Sequence, residues 1–230
     1  VFSRGSSTVL LPLHGSLSNR EQLRAFMKPP KGKQKVIVAT SVAEASVTVP
    51  GIVYIVDSMF VRLPSYNANI GMELNLTEPI SKASAMQRKG RAGRMAPGKC
   101  FRLCTSESFA GLSAQAVPLM LRSDLTWTVL QMTALGIGRM QNFKFPSPPS
   151  ATALARAFGL LYALGALGLD AELTTTGRQM LYFQCDPRAS KVLLSSVRMK
   201  CAEEALTIMA MMSVKQVFLT PRNKVQAEKA

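Results

Sequence analysis

The chain has 230 residues, 47% of them hydrophobic, which is enough to bury one or two cores. Its 28 Lys and Arg against 13 Asp and Glu leave a formal charge of +15, a balance that points to a polyanionic partner, with nucleic acid first and an anionic membrane surface second. No apolar run reaches the roughly 18 residues of a membrane span, nothing at Val1 reads as a signal peptide, and Cys100, Cys104, Cys185, Cys201 and the single His14 lack zinc-site spacing, so neither metal nor covalent chemistry is expected and the thiols are expected to be reduced.

Thr8 to Leu13 reads as a short apolar strand. Ser18-Asn19-Arg20-Glu21 is a capping-box signature opening a helix to about Met27, stopped by Pro29 and Pro30. Lys35 to Ala39 and Ile52 to Asp57 are apolar runs too short for helices and are expected as parallel strands buried on both faces. Lys28, Lys31, Lys33 and Lys35 form the densest charge run and read as a solvated loop, with no site assigned. Phe60 to Leu63 and Gly71 to Leu76, separated by turn formers from Pro64 to Asn69, suggest a hairpin. A second capping box is read at Ser84 to Gln87, opening a further helix, and Lys99 to Cys104 returns as a strand with both cysteines on one face.

After Val117-Pro118 the pattern turns helical. Ser123 is read as the cap of a helix carrying Leu125, Val129 and Met132 and ending at Gly136. A second helix aligns Leu154, Phe158, Leu161 and Tyr162. Leu167 to Leu173 reads as a small two-stranded turn, Thr176-Gly177 precedes another helix, and Ser190 to Lys200 and Ala202 to Ser213 form a final pair whose Met209, Met211 and Met212 are expected to fill core. The tail from Thr220 is polar, basic and expected to be loose.

The run Gln87-Arg88-Lys89-Gly90-Arg91-Ala92-Gly93-Arg94 carries the most chemistry. Arginine presents a planar fork of donors that matches phosphate oxygens and stays charged at any working pH. A helical segment here puts Arg91, Arg94 and Gln87 on one face, within reach of one triphosphate. The alternative, a solvated basic helix end, gives no reason for Gly90 and Gly93 at these spacings.

These residues resemble the DEAH-box RNA helicases over nearly the whole chain. Gln87 to Arg94 is similar to helicase motif VI, usually QRAGRAGR. Ala39 to Val49 is similar to motif V, usually TNIAETSLTI, and further matches are Ile55-Val56-Asp57, Pro79-Ile80-Ser81, Pro97 to Leu103 and Leu161 to Leu167. The resemblance implies an α/β RecA-like lobe of the P-loop NTPase type, with a parallel sheet, followed by an all-α winged-helix and helical ratchet segment. Its expected boundaries are 1–106 for a partial second RecA-like lobe, 107–176 for the winged helix and 177–230 for the start of the ratchet domain.

Roles carry over with the resemblance. Gln87, Arg91 and Arg94 are the expected catalytic residues, the arginines on the β- and γ-phosphates and Gln87 near the attacking water. Phe26, Ser46 and Thr48 are expected to bind ATP, Phe26 by stacking on the base unless it is a core residue of its helix. Thr40 and Ser41 are expected on the RNA backbone, unless these hydroxyls only cap the following turn. Ser41, Ala45 and Pro50 depart from the family's usual asparagine, threonine and acidic residue, and Pro50 offers no side-chain acceptor for a ribose hydroxyl. The hairpin is similar to one that separates strands in this family; a plain β-extension is the other reading.

The sequence holds no G-x-x-x-x-G-K-S/T phosphate loop and no DEAH-type acidic box. The chain is therefore expected to be a fragment, inactive alone, of an enzyme using ATP and Mg²⁺, with the Mg²⁺ ligands on a first lobe. The implied function is an ATP-dependent RNA helicase or RNP remodeller moving on single-stranded RNA in pre-mRNA splicing or ribosome biogenesis. Its context would be nuclear, with cytoplasmic the alternative, and its partners glycine-patch activators or spliceosome components, with no membrane. A non-catalytic winged-helix binding module and a decayed helicase scaffold are the competing readings.

Overall fold

The computed structural model describes residues 7–44, 48–94, 96–137 and 140–214. They form two compact units, one of residues 1–65 with 73–122 and one of 66–72 with 123–230.

In the first unit β1 (Thr8–Leu13) leads to α1 (Asn19–Phe26), and the predicted capping box is present: Glu21 N–H donates to Ser18 Oγ, while the Glu21 carboxylate accepts from Ser18 N–H. The helix ends at Met27, which turns extended two residues before Pro29. β2 (Gln34–Ala39) pairs in parallel with β1 from Thr8↔Gln34 to Leu13↔Ala39. β3 (Tyr54–Asp57) pairs in parallel with β6 (Lys99–Arg102), from Tyr54↔Lys99 to Asp57↔Arg102. α1 packs on β1, and α2 (Lys82–Lys89) on β3.

Four expectations are corrected here. The parallel strands are covered on one face only: Leu11 and Leu13 are buried, whereas Leu10, Val36, Val38, Tyr54, Val56 and Phe101 are exposed. Among the described residues helices lie against one face and nothing covers the other. The cap of α2 is Ser81, whose Oγ accepts from Ser84 N–H, so this helix starts earlier than the Ser84 signature suggests. Cys104 lies beyond β6 and packs instead against the cluster of Met59, Ile80 and Ala85. The strands of the hairpin are also longer than expected, β4 covering Phe60–Asn67 and β5 Met72–Pro79, with Pro64 inside β4. These two strands pair only with each other, so Pro64 can sit where no ladder donor is missed.

α3 (Ser106–Ala110) and the following turn fold back on the same unit: Lys82 N–H donates to Ser113 O and Ala83 N–H to Ala114 O, and Phe109 and Leu112 pack on the Met59 cluster. The first unit runs to Arg122.

The second unit is helical: α4 (Thr126–Ala134), α5 (Ala151–Ala163), α6 (Thr175–Tyr182), α7 (Pro187–Met199) and α8 (Ala202–Ser213), with an antiparallel bridge Leu167↔Leu173 between α5 and α6. The cap position of α4 is Leu125, not Ser123, and Asp124 just before it accepts from Thr126 N–H at 2.8 Å and from the Thr126 hydroxyl. Val129, Leu130, Ala157, Leu161 and Met180 form the buried centre, while Tyr162 faces out. Gly177 lies within α6 rather than before it, because a Cβ there would stand 2.2 Å from Ala166 O. Of the methionines expected to fill core, Met209 is half-buried, whereas Met211 and Met212 are exposed, since α8 buries only the Ala205 side of its surface among the described residues. The basic tail lies outside the described residues.

Candidate functional site

The site is built at the carboxyl ends of β1 and β2. Thr40 N–H donates to Leu13 O at 3.1 Å, so the chain leaves the sheet at Thr40 and enters a single 3-10 turn over Ser41–Ala43. Loops at this end of parallel strands are where α/β sheets place ligands. Thr40 and Ser41 are exposed, and the Thr40 hydroxyl makes no capping bond to the turn that follows. Its polar atom is thus not consumed by local structure.

α2 brings the arginine run to this loop, but not as one helical face. The helix ends at Lys89, capped by Gly90, and Arg91 to Arg94 follow as turns. The common face expected for Gln87, Arg91 and Arg94 is therefore absent, because two glycines in four residues shorten the helix. What unites the segment is a set of cross-ties to the 40–50 loop. Arg91 Nη2 donates to Glu44 O at 2.5 Å, and Arg94 Nη1 donates to Thr48 Oγ1. Gln87 is exposed on α2, a turn before Arg91. Ser46 lies outside the described residues.

Arg88 anchors this arrangement and is missing from the sequence assignment. Its Nε donates to Glu44 Oε1 at 2.6 Å, Nη1 to Asp57 Oδ1 at 2.7 Å, and both Nη atoms reach Phe60 O at 3.3 Å. Asp57, wholly buried at its carboxylate, also accepts from Met59 N–H at 2.9 Å, holding that residue at φ 66 where β3 turns into β4. Burial opposes the Arg88 charge, but its hydrogen bonds to the Asp57 and Glu44 carboxylates and their charges outweigh it and raise the guanidinium above its ordinary range. The signal available in the sequence was the acid at each end: Glu44 closing the 3-10 turn and Asp57 closing a strand. The same Asp57 charge, after burial itself, pushes the Cys100 thiol up, which keeps it protonated and unreactive.

Glycine supplies the floor. A Cβ on Gly98 would stand 2.4 Å from Ala92 O and 2.6 Å from Val53 O, so the chain entering β6 passes directly beneath the arginine loop, where only glycine fits.

Phe26 is the half-buried last residue of α1. Lys35 ties its helix end to the far side of the loop, Nζ donating to Ala25 O at 3.0 Å, Met27 O at 3.1 Å and Pro50 O at 3.3 Å. Lys35 is therefore no part of a solvated charge run. Alternation along β2 puts it on the inward side with Ile37.

Parallel strands, a loop at their carboxyl ends and arginines aimed into that loop define the RecA-like lobe of a nucleic-acid helicase. Residues 3–96 match the helicase conserved C-terminal domain, and residues 186–230 the ratchet-like helicase associated domain (HA2). The chain is 44% identical over 216 residues to human "Probable ATP-dependent RNA helicase DHX35", covering 94% of this chain and 31% of that protein. It is 42% identical over 219 residues to "Pre-mRNA-splicing factor ATP-dependent RNA helicase prp22" of Schizosaccharomyces pombe, covering 95% and 19%. The crystal structure of Escherichia coli DEAH/RHA helicase HrpB superposes with a TM-score of 0.85 at 31% identity, over 98% of this chain and 30% of that one. The chain is thus similar to DEAH-box helicases along nearly its whole length and spans less than a third of the length of these relatives.

Proposed function

We propose that this chain contributes the second nucleotide-gripping lobe of an ATP-dependent RNA helicase or RNP remodeller, an NTP hydrolase that couples turnover to movement on single-stranded RNA. The observation that carries the reading is the pair of arginine ties, Arg91 to Glu44 O and Arg94 to Thr48, at the loop beyond β1 and β2. The acceptors of these two ties, Glu44 O and Thr48 Oγ1, are neutral oxygens, and a triphosphate is the stronger acceptor of charge-assisted hydrogen bonds. Arg91 and Arg94 then stabilise charge on the phosphates as the terminal bond breaks, and Gln87 orients the attacking water. Phe26 stacks on the base, and Thr48 and Ser46 keep the nucleotide-binding role expected from the resemblance. Mg²⁺ would neutralise the phosphates from ligands on a first lobe, and the chain alone is expected to turn over no ATP.

Thr40 and Ser41 meet the RNA backbone in this reading, and the partition into lobe, winged helix and ratchet segment supplies the remainder of the RNA path. The helix order α4, α5, bridge and α6 supports the winged-helix part. Prp22 is named as a splicing factor, which favours a nuclear role in pre-mRNA splicing, with spliceosome components and glycine-patch activators as partners.

The test is steady-state turnover in the intact helicase. Arg91→Ala or Arg94→Ala is expected to lower kcat by about a hundredfold or more. Normal turnover in both variants would remove the phosphate-gripping role and leave the non-catalytic binding module as the better account.

A further inference from the structure

Lys35 stands outside every role assigned so far, yet its ammonium donates to three backbone carbonyls. Its three donors have three acceptors, and those acceptors come from two separate segments. Ala25 O and Met27 O flank Phe26 in the chain, while Pro50 O lies two residues beyond Thr48.

Each acceptor has a reason to need a donor. Carbonyls in the last turn of an α-helix have no partner within the helix, and the macrodipole leaves them partly negative, so a cation is favoured there. Pro50 begins the turn completed by Gly51 at φ 79, and its carbonyl is directed back toward the helix end. An ammonium is a compact point donor with three tetrahedral N–H groups and can satisfy three carbonyls converging on one point. A guanidinium, planar and wider, cannot.

We propose that Lys35 is a positioning residue for base recognition: its ammonium fixes the distance between the Phe26 end of α1 and the Thr48–Gly51 turn, and so sets the width of the slot in which the nucleotide base lies. This rests on the nucleotide reading above, in which Phe26 and Thr48 face the same ligand. Lys35 touches neither base nor phosphate and acts only through these two segments. Breaking the tie should therefore loosen the grip on the base while leaving the phosphate chemistry of Arg91 and Arg94 unchanged.

The experiment compares ATP with ribose 5′-triphosphate, which has the same phosphates and no base, as substrates of the intact helicase. Lys35→Met keeps the aliphatic stem and removes the donors. It is expected to raise the KM for ATP about tenfold, to leave kcat at saturating ATP within twofold, and to leave the KM for ribose 5′-triphosphate unchanged. Phe26→Ala should raise the KM for ATP at least as much, and the double variant should be no worse in KM than Phe26→Ala alone, because both act through one contact. Lys35→Arg, which keeps the charge and loses the geometry, should resemble Lys35→Met and serves as the readout if the methionine variant does not fold.

An equal rise in KM for both substrates, or effects of Lys35→Met and Phe26→Ala that multiply, would overturn the proposal, since a general loosening of the lobe predicts that outcome. If Phe26→Ala weakens ATP and neither Lys35 variant does, the positioning role fails alone. If Phe26→Ala leaves ATP unaffected, the base contact and the positioning role fall together, while the arginine test of the preceding section still stands or fails on its own.

Discussion

Arg88 and Arg94 sit six residues apart and have opposite relations to their surroundings. Arg88 serves two carboxylates, one of them wholly buried, whereas Arg94 is exposed and holds a single hydroxyl. Removing one partner of a buried ion pair strands the other charge at a cost of about 3–5 kcal/mol, while an exposed contact of the Arg94 kind contributes within roughly 0.5 kcal/mol. Arg88→Met is therefore expected to lower the urea midpoint of this chain sharply, by an amount near that range after conversion with the slope, and Arg94→Ala to leave it almost unmoved. Equal effects of the two would mean that the Asp57 and Glu44 carboxylates find other partners. Lys35 illustrates a third case. Burial holds its ammonium below its ordinary value of 10.5, so the folded state binds fewer protons than the unfolded state between those two values, and this group's contribution to stability is lost as pH falls through the lowered value.

At the scale of elements, the loop from Thr40 to Thr48 is the joint of the site, because one end leaves the sheet and the other receives Arg94. Thr40→Ala in the intact helicase is expected to cut RNA-stimulated turnover far more than basal turnover, with RNA affinity falling by the order of 1 kcal/mol typical of one hydrogen bond. Rates measured with and without single-stranded RNA at one salt concentration decide it, and equal losses would assign Thr40 to the nucleotide side or to the fold. Much of this joint is legible in the residues: the capping box at Ser18, the paired runs of β1 and β2, and the arginines aimed at a strand-end loop are all local patterns. What escapes is whatever depends on partners distant in sequence. Arg88 reads as one more charge in a basic run until Glu44 and Asp57, 44 and 31 residues away, are placed beside it. Lys35 reads as a loop lysine because its acceptors are backbone carbonyls, which carry no residue identity. The single face expected for Gln87, Arg91 and Arg94 fails for a local reason, since glycines that permit the arginine turn also end the helix.

At the scale of the molecule, the proposed association with RNA would be chiefly a matter of phosphate contacts, given a surplus of 15 positive charges on 230 residues. Binding of this chain to single-stranded RNA is expected to be nearly blind to sequence and to weaken at least tenfold between about 50 and 200 mM salt. A fluorescence-anisotropy titration at both concentrations with two unrelated oligonucleotides checks it, and an affinity indifferent to salt would place recognition in base edges instead. The packing of Gly98 under Ala92 O and Val53 O gives the arginine loop a direction as well as a place. A loop resting on backbone cannot sink toward the strands, so any motion that frees Arg91 from Glu44 and Arg94 from Thr48 has to be a lift away from them. In the proposed reading the loop therefore has room to give on one side alone, because bare glycine backbone already fills the space beneath Ala92.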